Sequence, residues 1–192
     1  MRWIVFLGLF FFLTLSLSAC TTLSKKQCQE GNWVAIGKAD GEEGYELERF
    51  KKHEEACQSF DLPANFAAYK QGRVLGLKSY CNVQHQLDLG LHGTRYRPVC
   101  SGPIVPLLKQ ANDWGYRAYE VKANLQASKD QLTDVREKMH EKKVEKEERE
   151  RLQDEEQRLM DEIDRLRLEL VRLKSGAEND LTARTRRFYR TH

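Results

Sequence analysis

The chain alternates between three distinct hydrophobic patterns. Trp3–Leu15 is an almost unbroken apolar run behind the single positive charge of Arg2, and small residues follow it up to Cys20. The run is short for a membrane-crossing helix, which needs about 20 apolar residues, and it has the anatomy of a secretory signal. Farther on, Tyr45–Phe60 is apolar at Leu47, Phe50 and Ala56, which predicts a helix. Asp61 is placed to cap a second helix with Pro63 in its first turn, running to about Tyr80. Ser101-Gly102-Pro103 then opens a seam spaced by threes and fours: Ile104, Leu107, Ala111, Trp114, Ala118, Val121, Leu125, Ser128, Leu132, Val135 and Met139. The seam lapses at Lys142, Lys146 and Arg149. It resumes three residues out of phase as Leu152, Leu159, Leu166 and Leu173, with Glu156, Ile163 and Leu170 between them.

Such a seam predicts one long charged helix over 103–174, about 105 Å if continuous, pairing as a coiled coil with a second copy. Two alternatives compete. One is a solitary helix held by the i,i+4 pairs Asp134–Lys138, Glu145–Arg149, Glu147–Arg151, Asp154–Arg158 and Asp161–Arg165. The other is an intramolecular hairpin bent at the phase break, against which HEKKVEKEERE offers no glycine, proline or asparagine. Gly176 is placed to stop the helix, leaving 175–192 as a basic flexible tail. The fold expected is therefore mainly α: a small disulfide-stapled helical domain, then the long helix.

Cysteine placement refines this picture. Leu17-Ser18-Ala19-Cys20 resembles the bacterial lipobox. The resemblance implies a signal peptide over 1–19, cleavage before Cys20, acylation of that residue and a tether over 20–27. An uncleaved anchor with a chance cysteine is the alternative. Thr21, rather than aspartate, follows Cys20. By the same resemblance, the destination is the periplasmic face of the outer membrane, with several acyl chains holding the protein firmly.

The remaining cysteines, Cys28, Cys57, Cys81 and Cys100, all fall within a unit over 28–102. An even number in a small exported unit indicates disulfides. With Cys57 ending the first helix and Cys81 the second, the two sulfurs of an antiparallel pair lie about 25 Å apart, too far to bridge. That favours Cys28–Cys57 with Cys81–Cys100 and leaves Cys28–Cys81 with Cys57–Cys100 open. His53 and His85 each lie four residues from a cysteine, a spacing that also suits zinc, but an oxidising compartment favours disulfides. No metal or cofactor is expected beyond the lipid on Cys20.

Glycines recur in IGKADGEEG, GRVLG and LGLHG. They fit neither a phosphate loop nor an EF-hand, and Gly72 and Gly76, one turn apart, suggest a second backbone packed against that face. The spaced pattern Trp33, Gly37, Asp40-Gly41, Gly44, Arg49-Phe50, His53, Ala56-Cys57, Tyr69, Gly72-Arg73, Gly76, Tyr80-Cys81, Gly90, Gly93, Tyr96 and Cys100 resembles a proteobacterial lipoprotein family of unknown function, number 2799. The resemblance runs from about Cys28 to Cys100 and implies an exported, usually lipid-anchored domain, with no activity to carry over.

Charge adds little: a net +3 gives no strong pull toward nucleic acid. No nucleophile–base or paired-carboxylate spacing stands out, so an enzyme is not expected. The expected role is structural or interactive. Leu152, Leu159, Ile163, Leu166, Leu170 and Leu173 would offer the seam to a second copy or to an envelope protein. Arg184, Arg186 and Arg187 of the tail would meet peptidoglycan carboxylates, lipid phosphates or an acidic protein. The alternative is a small binding or inhibitor module for a cell-wall glycan or hydrolase, acting through Trp33, Tyr69, Tyr80 and Tyr96.

Overall fold

A computed structural model describes residues 22–141 and 144–191, apart from the side chains of residues 177 and 178. The signal segment and Cys20 lie outside the described residues. The architecture is all helical: α1 (Lys25–Glu30), α2 (Trp33–Glu42), α3 (Arg49–Gln58), α4 (Phe66–Tyr80), α5 (Val83–Leu91), α6 (Val105–Met139) and α7 (Lys146–Thr191).

Local chemistry sets the starts of these helices. Ser24 and Gln27 form a reciprocal capping box on α1, while Asn32, Asn65 and Asn82 each accept from a first-turn backbone N–H of α2, α4 and α5. The expected cap at Asp61 is not used. That residue takes a left-handed backbone with φ 57°, and the chain enters α4 only at Asn65. The helix expected from Tyr45 begins at Arg49, because Gly44, with φ 65°, turns the chain first. Polar residues hide α1, and glycines with polar residues hide α2 and α5. Their apolar faces are too narrow to show as a period.

The disulfides are Cys28–Cys57 and Cys81–Cys100. They are the favoured pair, and they take up the sulfurs that a zinc site would need. Each fastens the entry to one helix pair, and removing both sulfurs of one bridge by substitution with alanine is expected to cost about 3 kcal/mol. A thermal melt of the Cys28→Ala/Cys57→Ala protein checks this.

The stapled unit consists of two similar helix pairs. Helix α2 crosses α4, and α5 crosses the start of α6. Gly41 faces the backbone of Arg73 and Leu77 just as Gly90 faces Asn112 and Tyr116. Gly76 and Gly115 are their partners across each crossing. Three residues on, Gly44 and Gly93 both turn with positive φ and rest against Tyr80 and Tyr119, each four residues beyond the partner glycine. Arg73 donates to the Tyr45 carbonyl at 2.9 and 2.7 Å, and Asn112 donates to the Thr94 carbonyl at 2.9 Å. The same lock is built twice, and the bare helix–helix contact inferred from Gly72 and Gly76 is realised in it.

The C-terminal half departs from the expected continuous helix. The chain reverses between Met139 and Lys146, and α7 returns along α6 as an intramolecular hairpin. Val121 and Leu125 pack on Ile163 and Leu166, while Val135 packs with Leu152 and Leu159. The inward face of α6 is the one the seam predicted. Its cover is the same chain, so the three-residue phase break marks the reversal. At the reversal Arg149 donates to the Met139 carbonyl at 3.0 Å, satisfying one of the orphan carbonyls at the end of α6. Across the pair, Arg136 meets Glu156 at 2.7 Å. Within α7, i,i+3 pairs such as Arg151–Glu148 and Arg167–Asp164 form.

Gly176 does not end α7. The helix continues to Thr191, and Leu181 is buried with Val83, Leu108 and Ala111. The segment expected to be a flexible tail is therefore a docked helix. Leu181→Ala is expected to cost about 3 kcal/mol and to free the last turns. Faster tryptic cleavage at Arg184, Arg186 and Arg187 is the readout.

Candidate functional site: a buried aspartate beside an arginine–tyrosine cleft

Asp40 lies on α2, one residue before the close crossing at Gly41, so its short side chain is carried into the interior between α3 and α4. It is only 7% exposed. A buried carboxylate needs donors, and three converge on it. The Tyr69 hydroxyl donates to Oδ2 at 2.7 Å, His53 Nε2–H donates to the same oxygen at 2.8 Å, and Arg49 Nε donates to Oδ1 at 3.2 Å. Burial alone would raise the Asp40 pKa. The hydrogen bonds from His53 and Tyr69, with the charges of His53 and Arg49, outweigh it and hold the carboxyl below the usual range. The Tyr69 hydroxyl is pushed up, first by burial and then by its bond to Asp40.

Beyond His53 the network continues to Thr22. The Thr22 hydroxyl lies 2.9 Å from His53 Nδ1 and donates to the Lys52 carbonyl at 3.0 Å. Hydroxyl, imidazole and carboxylate follow in the order that activates a nucleophile elsewhere. Here His53 is 2% exposed and Thr22 is spent on a backbone carbonyl, so the network ties elements together. It joins the N-terminal segment to α2, α3 and α4.

At the surface end of this network lies an open cleft lined by Tyr45, Glu46, Glu48, Arg49, Lys52 and Arg97. The guanidinium carbons of Arg49 and Arg97 lie 3.7 and 4.5 Å from the Tyr45 ring centroid. Arg97 comes from the second helix pair, and it also donates to the Glu43 carbonyl at 3.2 Å. Its own backbone N–H donates to the Tyr80 hydroxyl at 2.9 Å. Arg97 thus couples the two locks. The cleft offers cations flanking an aromatic ring, with two carboxylates on its rim, an arrangement that suits a zwitterionic or anionic group.

The residues singled out from the sequence are scattered rather than gathered in one site. Trp33, Tyr69 and Tyr80 are core residues at 4%, 0% and 1% exposure, so they form no binding surface. Tyr96 is partly buried, stacked 6.5 Å from Tyr80. Leu152, Leu159, Ile163 and Leu166 are buried in the hairpin, with Leu170 and Leu173 packed beside them. They are not open for a second copy. Arg184 pairs with Asp180 at 2.7 Å, while Arg186 and Arg187 lie exposed on the last turns of α7. No His, Cys, Asp and Glu grouping suited to a metal occurs among the described residues. The Asp40 cluster is not visible as a local pattern because its directly bonded partners lie up to 31 residues apart in the chain. Its one sequence signal was an aspartate set among glycines at a helix crossing.

Neither a curated protein nor a solved structure matches the chain. A family model described as Protein of unknown function (DUF2799) matches residues 32–117. The match begins at the Asn32 cap of α2 and ends two residues past Gly115, so it covers both glycine crossings, Asp40 and the cleft, stops short of Tyr119 and excludes α7. The doubly locked unit of this chain is thus similar to the DUF2799 family over residues 32–117, a little under half of the chain.

Proposed function

We propose that the protein is an outer-membrane-anchored periplasmic lipoprotein acting as a structural or interaction module, presenting its long hairpin to an envelope protein or to a second copy. Leu17-Ser18-Ala19-Cys20 supports the anchor. The observation that carries the interaction role is on the outer side of α7. Leu168 and Val171 remain 60% and 64% exposed, although Leu159, Ile163 and Leu166 of the same helix are already buried against α6. Among the described residues no helix is long and apolar enough to cross a membrane. A photo-crosslinking residue at Val171 in living cells tests this. One partner identified by mass spectrometry, its adduct lost on Leu168→Glu, supports the reading. No adduct from Val171 overturns it.

A second reading, a binding or inhibitor module for a cell-wall glycan or hydrolase, is supported by the Tyr45 cleft rather than by the buried aromatics. Muropeptide binding weakened at least tenfold by Arg97→Ala, with the fold retained, would favour it over the hairpin.

A further inference from the structure

The described chain is tied down from its first residues. Thr22 is tied to Lys52 and His53 through its hydroxyl, Leu23 is 4% exposed in the core with Trp33 and Phe50, Ser24 closes the capping box of α1, and Cys28 is bridged to Cys57. Thr22, Leu23 and Cys28 are thereby fixed to the folded unit and α1 lies between them, so residues 22–27 are not a loose tether. Thr21 alone separates Cys20 from the clamp, and two residues of fully extended chain span about 7 Å at most.

From this geometry, and resting on the anchoring reading above, we infer that the surface around Thr22 sits directly on the phospholipid headgroup layer that receives the Cys20 acyl chains. That surface is the first turn of α1 and the middle of α3. The occupant follows from the length of chain available, since acyl chains inside the bilayer and a 7 Å link leave no room for a spacer. The side chains there agree. Lys25 and Lys26 of α1 and Lys51 and Lys52 of α3 are exposed, and residues 22–29 contain no acid. Glu54 and Glu55 follow one turn along α3. Lysines at that height meet lipid phosphates. The membrane contact is therefore a defined face of the domain, and the domain cannot swing freely on a leash.

The test uses the full chain as processed in cells, purified and reconstituted into phosphatidylethanolamine vesicles with 30% phosphatidylglycerol. A fluorescent amino acid replaces exposed Gln29, and the lipids carry a headgroup quencher. Intact mass first reports whether Cys20 is acylated. With acylation present, at least twofold quenching at Gln29 is expected. Insertion of a 20-residue glycine–serine spacer between Thr21 and Thr22 should then make that quenching sensitive to 0.5 M salt and to Lys51→Glu/Lys52→Glu. An acylated protein with an unquenched Gln29 overturns the docked face and leaves the anchor standing. A mass without acyl groups overturns both.

Discussion

Gly72→Ala is expected to destabilise the protein by about 3 kcal/mol or more, whereas Gly176→Ala should stabilise it by up to about 1 kcal/mol. Both glycines sit within helices, so intrinsic helix propensity favours alanine equally at the two sites. The difference is what the new methyl meets. At Gly72 a Cβ would stand 1.9 Å from the Val34 carbonyl oxygen and 2.9 Å from the Lys38 nitrogen. Both are backbone atoms, so no rotamer change relieves the clash and α2 must move away from α4. At Gly176 nothing lies within 4 Å. Gly115→Ala, with the Leu87 carbonyl oxygen at 2.2 Å, should repeat the loss in the second lock. Urea midpoints for the three proteins decide the matter. A Gly72→Ala protein as stable as the parent would mean that the helices do not touch along their backbones.

Asp40→Asn should cost about 3 kcal/mol at pH 7, because it removes the charge that three buried or half-buried donors were gathered to satisfy. The pH dependence gives a sharper signature. The folded-state pKa of Asp40 is depressed, so its contribution is fully present above the unfolded value near 3.9 and is lost as pH falls through the folded value. In that acid window the unfolded chain binds the proton first, and the parent protein weakens. The asparagine variant has no proton to take up there. The gap between the two proteins should therefore narrow steadily below about pH 4, as read by urea unfolding at a series of pH values. A gap that stays constant down to pH 2 would assign the loss to packing rather than to the charge.

How far the sequence discloses this molecule depends on the kind of feature. The disulfide pairing was the favoured one because two helix lengths placed Cys57 and Cys81 at opposite ends. Close helix packing was visible at Gly72 and Gly76 because two such residues in one helix are costly without a neighbour. The duplication was not visible, since the shared positions are few: Gly41 and Gly44 against Gly90 and Gly93, then Gly76 and Tyr80 against Gly115 and Tyr119. The reversal between α6 and α7 has no glycine, proline or asparagine to mark it in the sequence. A charged side chain, Arg149, closes the helix end there, which periodicity cannot report. Asp40, His53, Tyr69 and Thr22 are joined only by folding, and no local pattern marks them as a set.

The two disulfides also decide where a mechanical load would travel. Tension entering at Thr22 reaches Cys28, crosses to Cys57 and passes into α4 without stretching α2 or α3, and at Cys81 it crosses again to Cys100 and enters α6. The loops of 29 and 19 residues are shielded, and with them Asp40, Arg49 and Arg97. Pulled between Thr22 and the hairpin, the domain lengthens through the segment before Cys28, through α4 and through α6 and α7, while α5 and the cleft stay out of the force path.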